Sequence, residues 1–164
     1  MATDEVLSFP NAIIDSKLTD DSLGRYSKSN FVTLPLTARI KGLDVVPQRS
    51  GLNWGQRPGR DDNQAYLPVP AYIQRNKFFP DRGEVFLVEC DDGEILKCVR
   101  SQANGKAIET CGNNAILGIY FRHRLGIRPG HLVTIDHLFR YGRTSVDIYY
   151  QKDYRYFLDF STTS

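Results

Sequence analysis

The stretch EVFLVECDDGEILKCVR, Glu84 to Arg100, decides how this chain folds. Two β-rich runs, Glu84–Cys90 and Glu94–Arg100, flank Asp91–Asp92–Gly93, and such a turn between apolar runs is a strong hairpin signal. A second turn, Asn104–Gly105–Lys106, returns the chain into Ala107–Thr110. Toward the N-terminus, Phe31–Ile40 alternates: Val32, Leu34, Leu36 and Ala38 stand against Thr33, Thr37 and Arg39, the period of a half-buried strand. Pro35 suits an edge position. Toward the C-terminus, Ser145–Tyr150 and Tyr154–Phe160 alternate and are joined by Gln151–Lys152–Asp153, a further hairpin. Asn113 and Asn114 are good caps for a helix whose face carries Ile116, Leu117, Tyr120, Phe121 and Leu125, and which Gly126 stops. Arg122 and Arg124 lie outside that stripe. His131–Ile135 predicts a strand, followed by a short helical turn from Asp136 to Gly142. Many short strands with two short helices predict an α+β, mainly β open barrel.

The composition is that of a folded domain: 164 residues, 41% hydrophobic and 24% charged. Residues 1–30 are polar apart from Ala12–Ile13–Ile14 and read as an N-terminal arm or extension, leaving 31–164 as the barrel. The net charge of +2 is modest for a nucleic-acid binder, so a polyanionic partner requires the positive charge to be gathered on one face. Cys90, Cys98 and Cys111 lack the close spacing of a zinc site and read as small buried hydrophobes in a reducing cytoplasm. Cys90 and Cys98 flank the hairpin turn and are placed to face each other. No apolar run approaches a membrane span, and the N-terminus lacks the pattern of a secretory leader. A soluble cytoplasmic protein is expected.

The least ordinary segment is VPQRSGLNWGQRPGRDDNQAY, Val46 to Tyr66. Asn53, Gln56, Arg57, Arg60, Asp61, Asn63 and Gln64 crowd into a glycine-rich stretch beside Trp54. These side chains read base edges in the major groove: Arg grips guanine, Asn or Gln grips adenine, and Asp accepts from cytosine N4. A polar surface loop has a similar composition. A second group, Lys97, Arg100, Gln102, Asn104 and Lys106, ends at a tight turn and suits a groove or a phosphate backbone. Arg49, Arg75, Lys77 and Arg143 are candidate phosphate contacts. No catalytic constellation stands out. In the acidic turn, Glu94 and Lys97 fall on opposite faces of a strand, wrong for one metal site, and the histidines lack paired spacing. Three readings stay open from the residues: double-stranded DNA recognition, a complete small magnesium-dependent endonuclease, and a single-strand binder of the OB type using Trp54, Tyr66 and Phe79 as stacking platforms.

SGLNWGQRPGRDDNQAYLPVP (Ser50–Pro70), FFPDRGEVFLVECDDGE (Phe78–Glu94), NNAILGIYFRHRLGI (Asn113–Ile127) and YGRTSVDIYY with YFLDFS near the end resemble the recognition domain of the NgoFVII group of type II restriction endonucleases. The resemblance spans roughly Val46 to Ser161. It implies a B3-like, seven-stranded open DNA-binding pseudobarrel, a fold shared with the effector domain of EcoRII, that grips the major groove with two arms. The N-terminal arm falls on Asn53, Trp54, Gln56, Arg57, Arg60, Asp61, Asn63 and Gln64. The C-terminal arm falls on Lys97, Arg100, Gln102, Asn104 and Lys106. The resemblance further implies a non-catalytic, monomeric domain without cofactor, binding a short site in double-stranded DNA inside a bacterium. In the NgoFVII group the module follows a nuclease domain. Here a magnesium-using nuclease domain is expected after Ser164, as in the EcoRII and UbaLAI arrangements, and the Ser-Thr-Thr-Ser ending reads as linker.

Overall fold

A computed structural model describes residues 30–162 of the chain, so the expected arm over residues 1–30 lies outside them apart from Asn30. Nine strands are described. β1 is Phe31–Pro35, β2 Ala38–Ile40, β3 Leu43–Val45, β4 Leu67–Pro68, β5 Phe86–Cys90, β6 Ile95–Ser101, β7 Ala107–Thr110, β8 Ser145–Lys152 and β9 Arg155–Asp159. Three α-helices join them: α1 (Ala71–Gln74), α2 (Ala115–Leu125) and α3 (Ile135–Tyr141). Seven strands form one sheet in the order β1-β8-β9-β5-β6-β7-β4, and its edge strands β1 and β4 approach each other. The result is a nearly closed barrel of mainly β structure.

The β5–β6 hairpin pairs Phe86 with Cys98 and Glu89 with Ile95. Cys90 and Cys98 therefore do not face each other; the Cys90 N–H donates to the Glu94 carbonyl instead (2.7 Å). Both thiols are free and buried, and burial holds both well above the usual thiol range, so they pack as inert hydrophobes. β8 and β9 also pair as a hairpin, but β8 runs through Lys152 and the turn is the tighter Asp153–Tyr154, with φ of 51° and 62°. A parallel contact, Leu87 beside Arg155 and Cys90 beside Leu158, joins the two hairpins into one sheet.

Two segments depart from their sequence reading. Phe31–Ile40 is two strands: after Pro35 the chain leaves the sheet, and Ala38–Ile40 pairs with Leu43–Val45 in a separate hairpin. The expected strand at His131–Ile135 is irregular. It ends in Thr134, which caps α3 through a capping box with His137. Its backbone groups are satisfied by side chains, as described below, so no ladder is needed.

Alternation fills the interior with Leu34, Phe86, Val88, Cys98, Ile108, Val146, Ile148, Tyr156 and Leu158 from the strands, closed at one side by Leu117 and Phe121 of α2. Each fully buried Leu, Ile or Phe contributes on the order of 1.5–3 kcal/mol. Within α2 the Asn113 carboxamide takes the Ala115 N–H (3.0 Å) and the Thr110 hydroxyl takes the Leu117 N–H (3.2 Å), while left-handed Gly126 ends it.

Candidate nucleic-acid interface

The polar segment before β4 is a folded loop, not a floppy one. A 3-10 turn over Gly51–Gln56 starts it, and Tyr66 N–H to Gly51 O (3.1 Å) and Gly55 N–H to Gln64 O (2.8 Å) close it on itself. A Cβ on Gly55 would stand 2.1 Å from the Asp61 carbonyl oxygen, so only glycine lets the two limbs approach this closely. A Cβ on Gly118 of α2 would stand 1.7 Å from the Asn63 carbonyl oxygen, so the loop also rests directly on the helix. From the other side Gly130 braces it. The Gly130 N–H donates to Asn63 Oδ1 (2.6 Å), and Gln56 Nε2 donates to the Gly130 and Asp62 carbonyls.

Two residues at the foot of the loop hold it. Asn53, expected to read a base, has 0% of its surface exposed. Its amide nitrogen donates to the Pro47 and Val133 carbonyls (both 2.8 Å), and its oxygen accepts from the Val133 N–H (2.9 Å) and from Arg122 (3.4 Å). With its hydrogen-bonding groups spent inside the protein, Asn53 is a brace and not a base reader. Arg122, read as lying outside the apolar stripe of the helix, is likewise 0% exposed. Its guanidinium donates to the carbonyls of His131 (2.8 Å), Gly118 (3.2 Å) and Leu52 (3.3 Å). Burial pulls its pKa down, with Asp62 opposing. Nothing in the sequence marks Arg122 as buried, because an arginine is ordinarily exposed unless paired.

What the loop leaves outside is Arg57, Arg60 and Asp61, all exposed, with Trp54, Gln56, Asn63 and Gln64 partly so. Arg57 Nε donates to the Arg49 carbonyl (2.9 Å). Arg60 lies over the Trp54 ring at 4.1 Å and donates to Gln64 Oε1 (2.9 Å). Trp54 meets Tyr66 edge to face at 5.3 Å, and Phe79 is buried, so the three aromatics do not form an open stacking row.

The second group is split by the fold. Gln102, Asn104 and Lys106 occupy the tip of the β6–β7 hairpin, where Gln102 and Asn104 take left-handed φ of 66° and 60°. Arg100 does not project from it. Only 7% exposed, it donates to the carbonyls of Gly105 (3.0 Å), Asn104 (3.2 Å), Pro80 (3.2 Å) and Gln74 (3.4 Å), stapling the tip to α1 and the loop that follows. Arg100 is thus an internal support, as Asn53 is for the first loop. Lys97 is exposed, but in mid-strand on the outer face opposite Leu87 and not at the tip. Leu67 pairs with Ile108 and Pro68 with Ala107, so the two loops leave opposite ends of the β4–β7 edge. The paired edge is two residues long, about 7 Å at 3.3 Å per residue.

Of the expected phosphate contacts, Arg49, Arg75 and Lys77 are exposed. Arg143 is not available. Asp147 (2.9 Å) and Asp159 (3.5 Å) neutralise it, and the Ser145 and Ser161 carbonyls take further N–H groups. The acidic turn is structural as well: Asp91 pairs with Arg124 (2.8 Å) and accepts the Phe160 N–H (2.7 Å). Among the described residues no group of His, Cys, Asp and Glu is arranged to hold a metal ion, and no helix is long and apolar enough to cross a membrane.

The chain is a nearly closed seven-stranded pseudobarrel with a braced polar loop at each end of one edge. The family model described as the NgoFVII C-terminal B3-like DNA-binding domain matches residues 25–152, and the chain belongs to that family. Among curated proteins none matches this chain.

Proposed function

We propose that this domain recognises a short specific site in double-stranded DNA through its two loops, as the recognition domain of a type II restriction endonuclease. The observation that carries this reading is the fixed presentation of Arg57, Arg60 and Asp61 on a loop locked by Gly55, Gly118, Asn53 and the Asn63–Gly130 bond. Base reading by bidentate side chains demands such pre-organisation, since every side chain or loop ordered on binding costs affinity. Gln102, Asn104 and Lys106 form the second arm. Arg49, Arg75 and Lys77 supply contacts to phosphate, which position the protein without reading sequence. The domain acts as a monomer on DNA, and cleavage belongs to a magnesium-using nuclease domain elsewhere in the parent protein.

Selection of bound duplexes from a randomised pool at moderate salt, followed by incubation of the winner with magnesium, tests this. A short enriched motif that stays intact is the expected result. A motif that is cut makes the chain a complete endonuclease, and no enrichment overturns the double-strand reading.

A further inference from the structure

Two hollows open at one end of the barrel, and the tip of the β6–β7 hairpin lines the smaller through Asn104. The larger, about 590 Å³, is walled by Phe78, Tyr150 and Tyr154 and has Lys77 and Asp81 on its lining. The smaller, about 410 Å³, shares Lys77 and Asp81 and adds Arg82, Arg100 and Asn104. Among the described residues neither Lys77 nor Asp81 enters a salt bridge, and the cation and the carboxylate face the same space.

The backbone is strained where these hollows meet. Lys77, Gln102, Asn104, Asp153 and Tyr154, five of the six described non-glycine residues with positive φ, lie at this end of the barrel. Tyr154 is one of them. It holds φ 62° at the second position of a two-residue hairpin turn, where glycine sits without strain, and it keeps 48% of its surface exposed. Its hydroxyl donates to Glu84, which steadies the ring at the mouth of the larger hollow. Behind it, Tyr156 meets Phe78 at 5.5 Å and Tyr150 at 5.4 Å, and its hydroxyl bonds the Phe78 carbonyl (2.6 Å), so the aromatic wall is rigid.

We infer that the larger hollow receives one unstacked nucleobase of the bound DNA, with the adjoining phosphate at Lys77 and Arg82 in the smaller one. A nucleobase has the matching chemistry: a π-face for the wall of Phe78, Tyr150 and Tyr154, and edge N–H donors for the Asp81 carboxylate. A purely apolar ligand leaves Lys77 and Asp81 unmatched. This inference rests on the double-stranded DNA reading above.

The test titrates the chain against the selected duplex, fully paired, and against a series with one mismatch at each position of the motif and its two flanking pairs on either side. A base that must leave the stack does so most cheaply when already unpaired, so one mismatch position is expected to bind about tenfold tighter than the paired duplex. Tyr154→Gly relieves the turn; it is expected to raise the melting temperature, weaken the paired duplex and erase the mismatch gain. If no mismatch tightens binding, or Tyr154→Gly retains the gain, the base site is overturned while DNA binding stands. If no duplex binds, paired or mismatched, the DNA reading itself falls. Guanosine or adenosine monophosphate binding where no duplex does makes the hollow a free-nucleotide site and overturns the DNA-borne source.

Discussion

Asn53 holds both backbone groups of Val133, eighty residues away: its amide nitrogen donates to the Val133 carbonyl at 2.8 Å and its oxygen accepts the Val133 N–H at 2.9 Å. One side chain thus does for Val133 what a neighbouring strand would do, and it fixes the foot of the polar loop before β4 to the segment that braces it.

Asn53→Ala leaves the Val133 N–H and C=O and the Pro47 carbonyl without this buried partner. A stability loss of about 3 kcal/mol is expected, since each orphaned buried group costs about 1–3 kcal/mol. Thermal melting reads it directly. Unchanged stability would remove Asn53 from its bracing role.

Gly55→Ala forces a methyl group against three backbone atoms, the nearest at 2.1 Å. Backbone cannot swing aside as a side-chain tip can, so the limbs of the loop must part, at about 1–3 kcal/mol. Affinity for the selected duplex is expected to fall with it, because Arg57 and Arg60 move off their positions. Amide exchange should localise the opening to residues 51–64, and exchange unaltered there would contradict the account.

The arginines should separate by experiment. Arg57→Ala should cost about 1–3 kcal/mol on the selected duplex and much less on random DNA. Arg49→Ala should weaken both equally and lower the slope of affinity against salt by about one. Arg143→Ala should leave affinity unchanged, because Asp147 and Asp159 already neutralise that charge. An Arg143→Ala protein that folds but loses salt-sensitive binding would return Arg143 to the interface.

His137 gives the fold a pH dependence near neutrality. Burial, aided by the Arg140 cation, pulls its pKa below the ordinary histidine value, with Asp136 partly opposing, and its Nδ1 accepts the Thr134 N–H (2.9 Å), which only the neutral ring can do. The unfolded chain therefore takes up this proton first, so stability is full above about pH 6.5 and declines as pH falls from there through the lowered folded-state pKa. His137→Gln supplies the usual residue of a capping box without a titrating group. Melting temperatures between pH 7.5 and 5 should fall for the wild type and stay flatter for the variant. Parallel curves would exclude His137 as the source.

The hairpins were legible in the sequence because both partners of each pairing are close along the chain and alternate in polarity. Glu84–Arg100 and the Ser145–Phe160 region needed only a turn residue to give register, although the second turn moved to Asp153–Tyr154. The joins between hairpins left no such mark. Leu87 beside Arg155 and Val32 beside Ile148 are pairings of strands remote in sequence, and no local periodicity specifies a distant neighbour. The same holds at the interface. The crowding of Arg, Asn, Gln and Asp before β4 marked the loop, yet two of its polar residues with equal claims went opposite ways. Arg57 faces outward and Asn53 turned inward as a brace, where it meets Arg122, a buried residue of α2 that the sequence placed only outside the apolar stripe.

By itself the sequence determined the mainly β class, the two hairpins and the glycine-rich loop, because these follow from period-two burial and from backbone conformations that few residues adopt. Tertiary structure alone decided which polar side chains meet solvent. A residue's type fixes how many hydrogen bonds it must make, but whether water, DNA or a buried carbonyl supplies them depends on what the rest of the chain brings alongside. Asn53 and Arg100 find their partners among carbonyls that the folded barrel assembles, and so support the arms from within.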